Sequence, residues 1–155
     1  MITQTQAAAL VAYTATFTGA NVKGTEAAVW MDYLNSPEGT PDATPTQLQT
    51  AARAACTTWA KKDGYRNPIN PADIATAHRH QQHKIIDAWE AQHGPLTPPP
   101  ELDTNPRAEI EWLRKARQAI ATGNQTAINA LTAHQTKPTP MPTPMPALRP
   151  RLKAM

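Results

Sequence analysis

Three side chains that can bind metal ions recur at helical spacing near the middle of the chain. His80 and His83 are three residues apart and Asp87 follows four residues later, so a helix would place all three on one face. Zinc accepts imidazole and carboxylate ligands, but a structural zinc site needs four ligands, and the chain has no cysteine pair to help. We therefore interpret these residues as a solvated polar face and predict no metal and no other cofactor.

The sequence contains no arrangement that is typical of nucleophilic or phosphate chemistry. The only serine, Ser36, lies in a proline-rich loop without an evident base, and the only cysteine, Cys56, lies on the apolar side of a predicted helix. A phosphate-binding loop of the form GxxxxGK[ST] is also absent, so ATP hydrolysis of the AAA+ kind is not expected. We predict that the protein is not an enzyme.

Basic side chains near the middle of the chain form the first candidate contact site, for DNA or for an acidic partner. They lie in the loop after the third predicted helix and on the helix that follows, together with one tyrosine: Lys61, Lys62, Tyr65, Arg66, Arg79 and Lys84. An ordinary solvated surface is the alternative interpretation of these residues.

The C-terminal tail, residues 136–155, is the second candidate. Proline alternates there with threonine or methionine, which excludes a helix interior and favours polyproline II. Residues 137–155 contain four basic side chains and no acidic one, whereas the other 136 residues carry eleven basic against twelve acidic side chains. We expect the end of the tail to be a linear motif that orders on a partner, with an inert disordered end as the alternative. The motif residues are Leu148, Arg149, Arg151, Leu152 and Lys153.

The elements that position these residues are predicted to be helices, which makes the fold class all-α. Thr44 and Asn70 are each followed by proline, a strong signal for a cap and the first helical residue. Gly94, between histidine and proline, ends the fourth helix. Apolar residues at spacings of three and four complete a small four-helix domain at 1–94. Its predicted core positions are Leu10, Tyr13, Phe17, Val29, Trp30, Tyr33, Leu34, Leu48, Ala52, Ala55, Cys56, Trp59, Ile74, His78, Ile85 and Trp89.

The second half of the chain divides into three predicted segments. Residues 95–105 contain four prolines, with a fifth at Pro106, and are expected to form an extended linker. Residues 106–135 are expected to form a short C-terminal helical segment, and residues 136–155 the disordered tail. The apolar side of the helical segment comprises Ile110, Trp112, Leu113, Ala116 and Ile120, followed by a short last helix through Ala127, Ile128 and Leu131.

Two general features bear on where the protein works. No apolar run approaches the roughly 20 residues that a membrane span needs, and the N-terminus MITQTQ lacks the basic start and apolar core of a signal peptide. A single cysteine suits a reducing compartment. We expect a cytoplasmic protein with no membrane partner.

Four features follow one another between residues 6 and 87. They are an alanine-rich first helix, Trp30 in AAVWMDYL, a third helix of the form LxxAARAAxxxW, and the sequence PINPADI at 68–74 before a long polar helix. In this pattern the chain resembles the phage-encoded replicative helicase loader/inhibitor proteins, the small all-helical kind without ATPase activity. The resemblance covers a little over half of the chain.

The resemblance implies a mechanism based on protein binding. Such proteins bind a hexameric replicative helicase, hold it in an inactive or loadable form, and deliver it to origin DNA marked by a replication initiator. The helicase contact would involve the flexible C-terminal part, contact with DNA would be indirect or weak, and the location would be the host cytoplasm. The helical segment at 106–134 is not required by the family pattern, so the site of the helicase contact stays open.

Two alternatives remain at this stage. One is a helix-turn-helix DNA-binding regulator that uses residues 72–89 as its recognition helix. Its base and phosphate contacts would come from His78, Arg79, Gln81, Gln82 and Lys84. The other is a small structural or assembly protein of a phage particle.

Overall fold

The computed structural model describes residues 1–21, 23, 25–61 and 67–134. In this part of the chain the fold is all-helical, as predicted, and contains no strand. The elements are α1 (Gln4–Thr18), α2 (Glu26–Asn35), α3 (Pro45–Ala60), α4 (Pro71–His93), a 3-10 turn (Pro100–Leu102), α5 (Pro106–Thr122) and α6 (Gln125–Thr132). Over the described ranges, no helix combines the length and the apolarity that crossing a bilayer requires. The tail at 136–155 lies outside these residues.

Reciprocal side-chain caps begin α3 and α4 where the sequence predicts them. The Thr44 hydroxyl accepts from the Gln47 amide at 3.2 Å, and the Gln47 side chain accepts from the Thr44 amide at 2.8 Å. Asn70 and Asp73 form the same pair at 3.1 and 2.9 Å. Such capping boxes satisfy amides that have no partner within the helix, so both helix starts are fixed locally.

The first core is enclosed by α1, α2, α3 and the first half of α4. The Ile2 amide donates to Asn35 Oδ1 at 2.8 Å and the Asn35 amide donates back to the Ile2 carbonyl at 2.9 Å, so α1 and α2 run antiparallel. Leu34, Leu48 and Ile74, from three different helices, are among the largest fully buried side chains. Burial of each such side chain contributes about 1.5–3 kcal/mol, which makes this cluster the main source of stability in the bundle.

A second core forms along the other half of α4. Ile86 and Trp89 pack there against residues from α5, α6 and the proline-rich segment, which are Leu96, Trp112, Ala116, Ala119, Ile120 and Ile128. The predicted C-terminal helices are therefore present: α5 packs directly on α4, and α6 packs on α5. Because α4 contributes to both cores, it is the common scaffold of the described chain.

The segment at 95–105 is less extended than the sequence predicts. Leu96 is buried in the second core, and the 3-10 turn at Pro100–Leu102 places Leu102 against the same cluster. Proline prevents an α-helix here, but it does not prevent apolar packing of the residues around it. The segment is thus part of the second core.

Four apolar side chains that were predicted to be buried are exposed instead. The exposed fractions are 49% for Phe17, 62% for Val29, 47% for Ile85 and 66% for Ile110. Helical periodicity identifies the apolar side of a helix but not how far the neighbouring helices cover it. On α4, for example, the second core covers Ile86, which points about 100° away from Ile85.

Candidate partner-binding surfaces

The packing of α3 against α4 differs from a helix-turn-helix. Trp59 Nε1 donates to the Asn67 carbonyl at 2.8 Å, and Gln81 Nε2 donates to the Thr50 carbonyl at 3.3 Å. The first bond joins the C-terminal end of α3 to the residues just before α4, and the second joins the first half of α3 to the middle of α4. The two helices therefore lie antiparallel. A helix-turn-helix has a turn of about 3–4 residues and a crossing near 90–120°, whereas residues 61–70 separate these helices.

His78, one of the base contacts expected for a DNA-binding regulator, is only 4% exposed and cannot reach a base. It belongs to the buried side of α4 with Ile74 and Ala75, which confirms the prediction of a core histidine. Burial lowers the pKa of His78, and the neighbouring positive charge of Arg79 lowers that pKa further. The ring is therefore neutral near pH 7 and acts in packing.

The basic candidates on α3 and α4 do not form one patch. Lys61 caps the C-terminal end of α3, while Arg79 donates to the Glu38 carbonyl at 3.5 Å. Arg79 and Lys84 are five residues apart on α4, so they point about 140° away from each other. The other three candidates lie outside the described residues: Lys62, Tyr65 and Arg66.

The possible metal ligands on α4 are exposed and do not form a cluster. His80, His83 and Asp87 lie on the solvent side of the helix. Throughout the described chain, no group of three or more histidine, cysteine or carboxylate side chains is placed to hold a metal ion. The structure therefore supplies no geometry for metal chemistry at this position.

His134, the last described residue, contacts residues of the second core and of the segment at 95–105. His134 Nε2 donates to the Thr97 carbonyl at 2.7 Å, and the His134 ring meets Trp112 edge to face at 5.4 Å. The predicted linear motif itself lies outside the described residues: Leu148, Arg149, Arg151, Leu152 and Lys153. The predicted tail follows this anchored residue in the sequence.

Sequence analysis missed a surface on α5. Four of its residues follow one another at spacings of three and four on the solvent side, and we call them the α5 surface: Arg107, Ile110, Arg114 and Arg117. Ile110 is the most exposed large apolar side chain of the described helices. The spacing of these four residues was the signal available in the sequence, but the sequence analysis predicts Ile110 to be buried.

Glu111 modifies the charge of the α5 surface. Its carboxylate accepts from Arg114 Nε at 3.0 Å and from Arg114 Nη2 at 2.9 Å, and it lies 3.5 Å from Lys115 Nζ. The hydrogen bond from Arg114 is the main reason that the pKa of Glu111 is lowered. Arg107 and Arg117 form no ion pair within the described residues.

Grooves open between the packed helices of the described chain. A mainly apolar groove of about 270 Å³ between α1 and α3 is lined by Tyr13 and Leu48, with Arg53 also on its wall. A groove of about 260 Å³ between α4 and α5 adjoins the α5 surface, and its lining includes Ile86, Gln82, Arg114, Arg117 and Ala121. The second groove places apolar side chains next to two guanidinium groups.

Comparison with known proteins gave no matching family model, no similar curated protein and no similar solved structure. The resemblance to helicase loader/inhibitor proteins therefore stays a prediction, and the function is argued from the chain's own residues.

Proposed function

We propose that this chain is a non-enzymatic DNA replication adaptor, encoded by a phage, that binds a hexameric replicative helicase and loads or inhibits it. The proposal starts from the sequence pattern that resembles such proteins. Trp30, Leu48 and Ile74, which belong to that pattern, are buried in the first core. The pattern thus describes a helical scaffold, and the partner contact must come from other residues.

The observation that carries the proposal is the separation of charge between the body and the tail. Residues 137–155 hold four of the fifteen basic side chains and none of the twelve acidic ones. They follow His134, which is anchored to Thr97 and Trp112. In polyproline II, nineteen residues span on the order of 60 Å, which is enough to reach along a large assembly from a fixed starting point.

The proposed contact is between the basic end of the tail and an acidic surface of the helicase. Leu148 and Leu152 alternate with basic residues there, a composition suited to a segment that folds on binding. DNA and a replication initiator would meet the adaptor through the assembled complex. Delivery or inhibition would then follow from which state of the helicase the adaptor stabilises.

Binding is tested with the full chain and the hexameric helicase of its host. We expect a complex that co-elutes in size-exclusion chromatography at micromolar concentration. A variant with Arg149→Gln, Arg151→Gln and Lys153→Gln should bind at least about tenfold more weakly, since charged hot-spot contacts exceed 1 kcal/mol. The matched control removes three exposed charges that belong to neither candidate contact site, through Lys23→Gln, Arg53→Gln and Lys115→Gln.

Absence of any complex with the unmodified chain would refute the proposed partner. Equal binding by the two triple variants would refute the role of the tail. Truncation at residue 95 is a poor test, because it would also remove the side chains that cover Ile86 and Trp89. Truncation after His134 keeps both cores.

Loading and inhibition are separated by a strand-unwinding assay. A loader should raise helicase activity on DNA coated with single-strand binding protein, whereas an inhibitor should lower activity on bare forked DNA. An unchanged rate on both substrates, despite a stable complex, would contradict both versions of the proposal.

A further inference from the structure

We infer that the α5 surface binds an acidic, amphipathic helical segment of a partner protein. The surface consists of Arg107, Ile110, Arg114 and Arg117, and the partner is defined by its chemistry, so the inference does not depend on the proposed helicase. The partner segment would present an apolar residue to Ile110 and carboxylates to the arginines. The steps below lead to this assignment.

The geometry places these four residues along one side of a packed helix. Arg107 and Arg117 are ten residues apart, which corresponds to about 15 Å along the helix axis. The opposite side of α5 is buried through Trp112, Ala116 and Ile120. The helix is thus held rigidly by the second core while the α5 surface faces solvent.

The apolar centre is the unusual feature of this surface. Single exposed apolar residues are common and need no explanation by themselves. Ile110, however, is 66% exposed and has arginines three residues before it and four and seven residues after it. The groove between α4 and α5 adds Ile86 and Ala121 beside Arg114 and Arg117. The Asp42 carboxylate also lines this groove, where it accepts from Gln118 Nε2 at 2.9 Å. Two apolar positions are therefore each accompanied by guanidinium groups.

The charge of this region favours an acidic partner. Residues 106–134 contain four basic and two acidic side chains, whereas the described residues of 1–94 contain five basic and seven acidic ones. Within the described chain, Arg107 and Arg117 have no carboxylate paired with them. A symmetric contact between two copies would bring the same positive surfaces together, which disfavours a dimer through this face.

A protein partner fits the surface better than nucleic acid does. Ile110 at its centre gains nothing from a phosphate backbone, whereas an apolar side chain of a protein partner would bury it. Arginine around an apolar centre is instead typical of protein interfaces, where arginine and aromatic or aliphatic anchors carry much of the binding energy. An amphipathic partner helix that lies in a groove is also a common mode of peptide recognition.

The test uses the full chain and a fluorescein-labelled 16-residue helical peptide with a leucine stripe bordered by glutamates. Binding is followed by fluorescence anisotropy. We expect Ile110→Asp, and separately the pair Arg107→Gln and Arg117→Gln, to weaken binding at least about tenfold. Val29→Asp is the matched control, because Val29 is a 62% exposed apolar residue on α2. It should leave the affinity within about twofold.

Three results would overturn the inference. The first is equal affinity of the unmodified chain and Ile110→Asp, with thermal melts showing that both are folded. The second is that a glutamate peptide without leucine binds as tightly as the leucine-containing peptide. Loss of binding only in the variant with Arg149→Gln, Arg151→Gln and Lys153→Gln would count in the same way, because it would place the contact on the tail. The third is tighter binding of a random 20-base-pair duplex that depends on the arginines but not on Ile110. If the double-arginine variant does not fold, Ile110→Ser replaces it as the second variant.

Discussion

The two cores of this protein share α4 but differ in tightness and in the sign of the charge around them. On the first half of α4, Ile74, Ala75 and His78 are buried, whereas Ile86 and Trp89 on the second half are only partly buried. Acidic side chains outnumber basic ones in the described part of 1–94, and the reverse holds for 106–134. The near-neutral body thus combines two regions of opposite character.

This difference suggests a division of roles. The first core holds the larger share of buried side chains and fixes α4 in place, while the second core positions α5 and α6. A contact surface on α5 can then be altered without loss of the bundle. Substitutions in each core can test this division.

The largest effect is expected from truncating the first core. Ile74→Ala removes a side chain with no exposure and should lower the free energy of unfolding by about 3–5 kcal/mol. Ile86→Ala, on the same helix but only partly buried in the second core, should cost less than about 2 kcal/mol. Urea denaturation followed by circular dichroism measures both, and equal losses would show that the two cores are equally tight.

A similarly large effect is expected from a substitution at Gly39, which follows α2 in the sequence and packs against the backbone of its last turn. A Cβ there would clash with the Tyr33 carbonyl oxygen and lie 2.8 Å from Leu34 Cα, both backbone atoms. Gly39→Ala should therefore force a backbone shift and cost about 2–3 kcal/mol. Gly19→Ala is the control, since Gly19 has a φ of 67° but no atom within 4 Å of its added Cβ. Its cost should be about 1 kcal/mol, and a larger cost than at Gly39 would contradict the argument.

The stability of the fold should depend on pH through the buried His78. Since the folded state lowers the pKa of His78, the unfolded chain binds the proton more readily. The stability from the neutral buried ring is present above the unfolded pKa of about 6.5 and is lost as pH falls from there through the folded pKa. His78→Leu should flatten the curve of unfolding free energy against pH below 6.5. A curve for His78→Leu that keeps its slope below pH 6.5 would contradict this account.

The sequence predicted what depends on local chemistry. Thr44 and Asn70 identify the starts of α3 and α4 because a cap and a following proline act within one turn. Gly94 likewise marks the end of α4. The buried or exposed state of Ile110 and Ile85 could not be read in this way, because it depends on where distant helices pack. The α5 surface was missed for the same reason.

The candidate contact residues show the same difference between local geometry, which the sequence predicts, and long-range packing, which it does not. The separate directions of Arg79 and Lys84 follow from helix geometry alone, and so could have been predicted from their spacing. The packing of Leu96 against the second core could not, since proline-rich composition indicates only that a helix is absent. Sequence patterns are therefore most informative for helix ends and least informative for surfaces assembled from several elements.

The smallest effect is expected from the ion pairs of Glu111, and it concerns binding more than stability. Glu111 is exposed and pairs with Arg114 and Lys115 in water, where such pairs contribute little to folding. Glu111→Gln should leave the melting temperature unchanged but release both cations, so the acidic helical peptide should bind about twofold to fivefold more tightly at low salt. Glu26→Gln, an exchange of the same kind on α2, should not change peptide affinity. Weaker binding by Glu111→Gln would mean that Glu111 orients Arg114 for the partner, and the role of this carboxylate would then be the opposite of the one proposed.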